Sequence, residues 1–568
     1  MRLGAQYLGN DRTLFRLWAP GLDTLSLEID GRPPQPMTAL SDGWFEAEAD
    51  CGPGARYMYR LPSGQAVPDP ASRAQADDVH GPSVVVDPGA YRWRHPDWKG
   101  RPWHETVLYE LHVGLCGGFA GIEADLDRLA RLGVTAVELM PVSDFPGTRN
   151  WGYDGVLPFA PDRTYGAPDQ LRALVDAAHG RGLMMFLDVV YNHFGPEGNY
   201  LGLYAPQFFR ADIHTPWGAA IDFRQPAVRR FFIENALHWL TEYRFDGLRF
   251  DAVHAISDPT FLDEMATEIR SAIRDRHVHL VLEHDGNVAD HLRRGFDAQW
   301  NDDAHHILHV LLTGEHDGYY SDYARVPARQ LARCLAEGFA FQGEPSAYRK
   351  GRKRGTPSAD LAPTAFVLFL QNHDQIGNRP FGDRLTEHAH PEALKAAITL
   401  QLLAPNIPLL FMGEEHLSRV PFQFFTDFQG ELATAVRDGR RREFAGFAGF
   451  GGQDIPDPNA PETFERSRVP ADGDDGFHRG LLALRHQAIV PRLPGTKPID
   501  AKPIGESAVA AQWRMGDQAV LSLLVNLGAE PCSVAPPAGD CLFVSRQGAF
   551  EGGRLHGRAA AAFLQPAP

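Results

Sequence analysis

The sequence predicts a (β/α)8 barrel with a β-sandwich domain before it and another after it in the chain. Three observations indicate this fold class. Strand-like apolar segments alternate with helical periodicity through the central region, polar residues come at the C-terminal ends of these segments, and both ends of the chain show two-residue periodicity. At 568 residues, the chain exceeds the roughly 250–300 residues at which one hydrophobic core stops growing, so several domains are expected.

The first 90 residues alternate apolar and polar positions between turn signals. The pattern is seen in "TLFRLWAP", "TLSLEIDG", "GWFEAEAD" and "ARYMYRLP". Such alternation is typical of strands that bury one face, so residues 1–90 are predicted to form a small antiparallel β-sandwich. The Pro- and Gly-rich stretch "GPSVVVDPGAYRWRHPDWKGRPW" that follows is predicted to be a linker.

The central region, residues 91–485, contains eight candidate strands separated by segments of helical periodicity. In chain order they are "VLYELHV", "AVELMP", "MMFLDVV", "GLRFDAV", "HLVLEHD", "FDAQWNDD", "AFVLFLQNHD" and "IPLLFMGEE". Continuous apolar strands are typical of a parallel sheet that is covered on both faces. Eight of them with intervening helices predict a (β/α)8 barrel with inserted loops.

A polar residue stands at the C-terminal end of nearly every candidate strand. These residues are His112, Glu138, Asp188, Asp251, Glu283, Asp302, Asp374 and Glu414. Active sites of (β/α)8 barrels lie at this end of the strands, so the eight residues are expected to border a shared pocket.

The last segment, residues 486–568, returns to a strand-like pattern. It contains "AVAAQWRMG", "AVLSLLVNLG" and "CLFVSRQG", which predict a small C-terminal β-sandwich.

Composition and charge exclude several classes of protein. A formal net charge of −17 is unfavourable for nucleic-acid binding, and the basic run "YRKGRKRG" at Tyr348–Gly355 is interpreted as a solvated loop. No segment has the length and apolar character of a signal peptide or a membrane span, so a cytoplasmic protein without membrane contact is expected. Five widely spaced cysteines predict reduced thiols.

The fourth and fifth candidate strands carry a pair of carboxylates suited to glycoside hydrolysis. Arg249 and Asp251 lie two residues apart and so share a strand face, where the guanidinium would hold the carboxylate ionised as a nucleophile. Glu283 ends the apolar run "LVLE", where poor solvation would let it keep a proton and act as a general acid. Asp374 and His373 would contact hydroxyls of the reacting sugar, whereas Asp246 is expected to cap a turn.

Four motifs in this region resemble the characteristic regions of glycoside hydrolase family 13, the α-amylase family. They are "DVVYNH", "GLRFDAVH", "LVLEHDGN" and "FLQNHDQIGN", in the order of the family. The resemblance implies Asp251 as nucleophile, Glu283 as acid/base and Asp374 as the carboxylate that stabilises the transition state. It also places the site arginine at Arg249 and the site histidines at His193 and His373.

Longer segments are similar to one group of this family, the malto-oligosyltrehalose trehalohydrolases. These segments include "ELMPVSDFPGTRNWGYDGVLPFAPDRTYG", "TPWGAAIDF", "QWNDDAHH" and "PDPNAPETFERS". The resemblance implies hydrolysis of the α-1,4 bond next to the terminal trehalose unit of maltooligosyltrehalose, without a cofactor. It further implies that the N-terminal β-sandwich is of the starch-binding type and that maltooligosyltrehalose synthase supplies this substrate.

Substrate-binding candidates follow from the same motifs. A site for an α,α-1,1-linked disaccharide requires polar groups and aromatic platforms, and we expect them to come from the motif residues Tyr153, His193, Trp217, Arg249, His254, Asp302, Asp303, His305, His306, Asn372, His373 and Gln375. Hydrogen bonding to sugar explains the "NDDAHH" residues without a metal ion, and no metal is expected. Phe424 and Phe425 fit a pocket wall or the core equally well.

Two other functions are compatible with this pattern. A branching or debranching enzyme of the same family would share the barrel and the three carboxylates, and differs in which acceptor reaches the glycosyl intermediate. A catalytically silent glucan-binding protein on the same scaffold would be expected to lack one of the three carboxylates, but Asp251, Glu283 and Asp374 are all present.

Overall fold

The central unit of the molecule is a closed barrel of eight parallel strands, as predicted. The computed structural model describes residues 3–215, 217–444 and 455–567. The first strand pairs with the eighth, so the barrel has no open edge. The strands are β1 (Leu108–Leu111), β2 (Ala136–Leu139), β3 (Met184–Val189), β4 (Gly247–Phe250), β5 (His279–Leu282), β6 (Ala298–Trp300), β7 (Phe366–Leu368) and β8 (Ile407–Phe411).

Helices connect the strands and cover the barrel. They are α1 (Gly118–Leu132), α2 (Pro168–His179), α3 (Pro226–Thr241), α4 (Thr260–Ala272), α5 (Asp302–Thr313), α6 (Pro327–Glu337), α7 (His373–Gly377), α8 (Pro391–Leu403), α9 (Gly430–Phe444) and α10 (Gly476–Leu484). Further short helices span Leu201–Tyr204, Leu385–His388 and Pro461–Glu465. A β-hairpin, Phe209–Thr215 with Gly218–Ile221, follows β3.

The side chains inside the barrel form two layers of opposite character. Residues two apart on a strand share a face, so inward-facing positions alternate with outward-facing ones. The lower layer is apolar and buried; its members Leu409, Leu108, Ala136 and Met184 are neighbours in the strand register. The upper layer, nearer the C-terminal ends of the strands, consists of Glu110, Glu138, Asp188 and Arg249, all less than 3% exposed. We call these four side chains the charged layer.

Asp246, just before β4, lies below the barrel and not in the cleft. Its carboxylate accepts hydrogen bonds from Trp98 Nε1 at 2.8 Å, His179 Nε2 at 2.9 Å and the Met185 N–H at 2.9 Å. Burial opposes the ionised form, but His179 and Arg276 overcome it and hold the pKa of Asp246 below its ordinary value. Asp246 thus attaches the segment before β1 to the barrel, which is a larger structural role than the predicted turn cap.

Antiparallel sheets come before and after the barrel along the chain. The N-terminal strands are Gly4–Gly9, Arg12–Trp18, Trp44–Ala49 and Thr38–Ala39 in one sheet, and Gln35–Pro36, Ser26–Ile29, Arg56–Arg60, Ala66–Val67 and Ser83–Val84 in the other. The C-terminal five-stranded sheet contains Lys497–Gly505, Ala508–Arg514, Val520–Asn526, Ala559–Gln565 and Asp540–Val544, and a three-stranded sheet contains Cys532–Ser533, Arg554–Leu555 and Phe550–Glu551. The domain boundaries 1–90, 91–485 and 486–568 stay predictions.

In the described ranges of the chain, none of the helices is both long enough and apolar enough to cross a membrane.

Candidate active site

Arg249 is the centre of the polar cluster at the C-terminal end of the barrel. Its Nη1 donates to Asp188 Oδ2 at 2.7 Å and to Asp251 Oδ1 at 2.8 Å, and its Nη2 donates to Glu283 Oε2 at 2.8 Å. The guanidinium lies 4.2 Å from the centre of the Trp300 ring, and the side chain is only 1% exposed. One buried cation therefore holds carboxylates from three adjacent strands.

Backbone geometry fixes the two predicted reacting carboxylates in place. The Asp251 N–H donates to Val189 O at 3.0 Å, and the Glu283 N–H donates to Phe250 O at 3.0 Å, which extends the parallel pairing past the strand ends. Ala252 adopts a left-handed conformation with φ of 39°, and its N–H donates to Glu283 Oε2 at 2.8 Å. A non-glycine residue in this region costs about 1–3 kcal/mol and is often found at functional sites.

The contacts of Arg249 differ from the predicted arrangement in one respect. The sequence placed the guanidinium beside Asp251 and left Glu283 in apolar surroundings, but Arg249 binds both carboxylates. Strand register explains the difference, because Arg249 pairs with Val281 on β5 and Glu283 is two residues further along the same face.

A cavity of about 340 Å³ opens above this cluster, and we call it the Asp251 cavity. Its walls contain all three predicted catalytic residues together with five of the predicted substrate-binding residues. The lining residues are Trp151, Tyr153, His193, Trp217, Asp251, Ala252, His254, Glu283, His373, Asp374 and Asn378. Asp374 is carried by α7, whose N-cap Asn372 accepts a hydrogen bond from the Gln375 N–H at 2.9 Å.

A second cavity of about 410 Å³ adjoins the first, and we call it the Asp302 cavity. The two share His254, Glu283, Asp374 and Asn378, whereas Asp251 lines only the first. The remaining lining residues of the Asp302 cavity are Asp285, Trp300, Asp302, His306, Tyr319, Asp322, Tyr323, Tyr348, Arg349, Arg352, Arg354, Asn372 and Gln375. Glu283 therefore stands at the boundary between two adjoining spaces.

Asp303 and His305 lie outside both cavities, which corrects their prediction as sugar-binding residues. Asp303 is fully buried and accepts hydrogen bonds from Tyr323 Oη at 2.6 Å, Asn287 Nδ2 at 2.9 Å and the Ala340 N–H at 2.8 Å. The Nδ1 of His305 lies 2.9 Å from Leu370 O, and burial lowers the pKa of this histidine to about 3. The cause is helical geometry: α5 begins at Asp302, so Asp302 and His306 share one face while the residues between them point away.

The basic run 348–355 lies in the site, where the sequence had indicated a solvated loop. Tyr348, Arg349, Arg352 and Arg354 line the Asp302 cavity. Arg354 is only 5% exposed and forms an ion pair with Asp303. This carboxylate partner is 51 residues away, so no local pattern revealed that the arginine is buried.

Some of the polar strand ends do not reach either cavity. His112, Glu138, Asp188 and Glu414 are buried and absent from both linings. Burial raises the pKa of Glu414 to about 8, so this side chain is held mainly protonated at neutral pH. Phe425 is fully buried core, and Phe424 packs on Trp151 with ring centres 5.1 Å apart; neither lines a cavity of the site.

A larger cavity, of about 460 Å³, lies between α1 and the loop after β8. It contains none of the predicted site residues. Within the described ranges, no group of three or more His, Cys, Asp or Glu side chains is arranged to hold a metal ion.

Trp217 forms an exposed edge of the Asp251 cavity. Its ring is 46% exposed and stacks on His193 with ring centres 4.6 Å apart. Burial lowers the pKa of His193 to about 4, so the stacked imidazole is neutral at pH 7.

Trp217→Ala is expected to raise KM for the substrate about three- to tenfold with little change in kcat, because an aromatic contact contributes about 0.5–1.5 kcal/mol. Steady-state kinetics test this expectation. The control is Leu203→Ala, which removes an exposed apolar side chain outside both cavities. An unchanged KM in Trp217→Ala would exclude a platform role.

Comparison with known proteins identifies the neighbours of this chain. Residues 73–203 match the family model described as alpha amylase, catalytic domain, and residues 499–562 match a domain of unknown function, DUF3459. The malto-oligosyltrehalose trehalohydrolase of Deinococcus radiodurans is 43% identical over 86% of this chain and 83% of the relative. The malto-oligosyltrehalose trehalohydrolase of Rhizobium sp. (strain M-11) is 39% identical over 92% of each chain.

Solved structures and a more distant relative complete the comparison. The crystal structure of a putative alpha amylase from Salmonella typhimurium superposes with a TM-score of 0.94, 46% identity and 99% coverage of both chains. A pullulanase of Paenibacillus barengoltzii, at 22% identity and a TM-score of 0.72, shares the fold. The branching enzyme of Jannaschia sp. is 33% identical over only 44% of this chain and 40% of the relative.

Proposed function

This chain belongs to the malto-oligosyltrehalose trehalohydrolases of the α-amylase family, and we propose that it cleaves maltooligosyltrehalose with retention of anomeric configuration. It is a glycosidase that releases trehalose. The bond that breaks is the α-1,4 link next to the terminal trehalose unit. The observation that carries the proposed mechanism is that Asp251 and Glu283 share the Arg249 guanidinium and line one cavity.

The chemistry follows from this pair of carboxylates. Glu283 donates a proton to the glycosidic oxygen while an Asp251 oxygen attacks the anomeric carbon, so a glycosyl ester forms and trehalose leaves. Glu283, now ionised, then takes a proton from water, and the water oxygen attacks the ester carbon to release the maltooligosaccharide and free Asp251. Retention requires carboxyl groups about 5–5.5 Å apart, and two carboxylates that share one guanidinium suit this close spacing. Asp374 faces the developing charge from α7.

The two cavities divide the substrate at the bond that breaks. A general acid must face the leaving group, and Glu283 lines both cavities whereas Asp251 lines only one. We therefore place the glucan in the Asp251 cavity and trehalose in the Asp302 cavity, whose volume suits a disaccharide. Asp302, His306, Asn372 and Gln375 would then bind trehalose hydroxyls, and Arg349 and Arg352 would add donors in the same cavity.

A branching or debranching enzyme is the alternative within the family. Transfer and hydrolysis use the same two carboxylates and differ in the acceptor. The similarity to a branching enzyme covers less than half of this chain, whereas the trehalohydrolases match most of it. The hydrolase is therefore the better supported function.

Product analysis tests the proposal. Incubated with a mixture of maltooligosyltrehalose and maltohexaose, the protein is expected to release trehalose from the first substrate as the main low-molecular-weight product. Anion-exchange chromatography separates trehalose from maltose and glucose, and proton NMR detects any α-1,6 links. New α-1,6 links without trehalose would identify a branching enzyme instead.

The cellular setting follows as part of the proposal. An enzyme that consumes maltooligosyltrehalose requires one that makes it, so we propose a maltooligosyltrehalose synthase as its pathway partner. The two would act in sequence in the cytoplasm.

A further inference from the structure

We propose that Glu110, on β1, is a positioning residue of this glycosidase centre, which it serves by forming an ion pair with His373. The inference rests on the proposed function only for its kinetic readout. Glu110 is 1% exposed and is absent from both cavity linings, so it touches no substrate. It acts through His373, which lines the Asp251 cavity.

Glu110 binds His373 at two points. One carboxylate oxygen, Oε1, contacts His373 Nδ1, and the other, Oε2, accepts the His373 backbone N–H at 3.1 Å. These two contacts fix both the start of α7 and the plane of the imidazole ring. Asp374 is the next residue of α7, and its Oδ1 lies 3.9 Å from His373 Nε2. The position of Asp374 therefore depends on the same pair of contacts.

The hydrogen bonds at Tyr153 require a proton on Nε2 of the His373 ring. Arg249, which can only donate, is bonded to Asp188 Oδ2, and Tyr153 Oη donates to the same oxygen at 2.6 Å. Tyr153 has thus used its proton, so its oxygen must accept from His373 Nε2, 2.7 Å away. If Nδ1 also donates to the Glu110 carboxylate, the ring carries both protons and a positive charge.

The negative charges around the site give a positively charged His373 an electrostatic role. Carboxylates at Asp188, Asp251, Glu283 and Asp374 face the single guanidinium of Arg249. An imidazolium at His373 supplies a second positive charge on the side where Asp374 lies. Burial opposes this charge, but Glu110 outweighs burial and raises the pKa of His373 to about 9. The other titratable groups that face this ring are Asp374, Arg249, Glu138, His112, Tyr153 and, through Tyr153, Asp188.

Glu138 provides a matched control in the charged layer. It pairs directly with Glu110 across β1 and β2 and is fully buried, yet neither of its carboxyl oxygens has a hydrogen-bond partner among the described residues. Burial and the neighbouring Glu110 raise the pKa of Glu138 well above its ordinary value, which favours the protonated form. Glu138→Gln therefore makes the same small change of shape as Glu110→Gln in the same layer, but it breaks no contact with His373.

The kinetic experiment compares these two variants with the wild type. Glu110→Gln is expected to lower kcat about 10- to 100-fold at pH 7, since displacement of a reacting group by about 1 Å has effects of this size. KM is expected to change less than kcat, and Glu138→Gln is expected to stay within about threefold of wild type. Equal losses in both variants, or full activity in Glu110→Gln, would contradict the proposal. If the wild type releases no trehalose, the comparison uses whichever α-1,4-glucan it hydrolyses.

The protonation of the His373 imidazole can be measured directly by NMR, without an activity assay. In protein labelled with ¹³C at histidine Cε1, the His373 signal is the one missing from His373→Gln. In the wild type this signal is expected to titrate near pH 9, and in Glu110→Gln below the ordinary histidine value of about 6.5. A wild-type midpoint at or below 6.5 overturns the ion pair even if Glu110→Gln fails to fold. Failure of the proposed function would leave this titration unchanged.

Discussion

Asp251→Asn is expected to abolish turnover of maltooligosyltrehalose, with a loss of at least about 10³-fold in kcat, because an amide does not form the glycosyl ester. Glu283→Gln is expected to lose a similar factor on this substrate, because the leaving oxygen then departs without a proton. Folding should be nearly unchanged in both variants, since Arg249 Nη groups can still donate to the amide oxygens. More than a tenth of wild-type turnover in either variant would overturn the role assignments.

An activated substrate separates the two roles. Fluoride leaves without protonation, so α-maltosyl fluoride is expected to restore formation of the glycosyl-enzyme in Glu283→Gln but not in Asp251→Asn. Released fluoride, measured with an ion-selective electrode, reports this step directly. The matched control is Asp275→Asn, the same chemical change at a side chain that is 80% exposed and outside both cavities. Restored activity in Asp251→Asn and not in Glu283→Gln would reverse the assignment.

Arg249→Met is expected to cause the largest loss of stability among the site variants. It removes the cation shared by Asp188, Asp251 and Glu283, and a buried ion pair that loses one partner costs about 3–5 kcal/mol of unfolding free energy. Activity should disappear as well. Urea unfolding at pH 7 measures the free energy, with Arg12→Met as the control, because Arg12 is 54% exposed and its ion pair contributes only about 0–1 kcal/mol.

The pH dependence of this variant has a defined sign. Without Arg249, desolvation raises the carboxylate pKa values in the folded state above their unfolded values, so the folded protein binds more protons. Stability is then lost as pH rises through those pKa values and is regained as pH falls. The deficit of Arg249→Met, which is its loss of unfolding free energy relative to the wild type, should therefore shrink as pH falls from 7 to 5. A deficit below 1 kcal/mol at pH 7, or one that grows towards pH 5, would contradict the account.

The sequence predicted the barrel because its signal is strong and local. Each strand is a short apolar run next to a helical segment, and all eight candidates form the closed sheet. The sequence also indicated Asp251, Glu283 and Asp374, because the first two follow their strands directly, Asp374 lies a short segment after β7, and the C-terminal ends of parallel strands meet at one rim. Their roles in catalysis remain part of the proposal.

The residues that the sequence misplaced depend on geometry that is not local. Asp303 and His305 were grouped with Asp302 and His306 because the four are adjacent, but a helix that begins at Asp302 sends neighbours in different directions. Arg354 appeared solvated because its partner Asp303 is distant in sequence. The left-handed turn at Ala252 has no glycine or asparagine to reveal it.

The buried carboxylate of Asp303 has a consequence for how substrate preference can change. It joins Asn287, Tyr323, the N–H groups of Ala340 and Phe341, and Arg354, which belong to segments far apart in the chain. The two ends of the loop between Ala340 and Arg354 are held by these contacts, and the middle of the loop carries Tyr348 and Arg352 at the Asp302 cavity. Engineering can therefore exchange the middle of this loop for a longer or shorter segment to admit other acceptor sugars, provided that Asp303 and Arg354 are both retained.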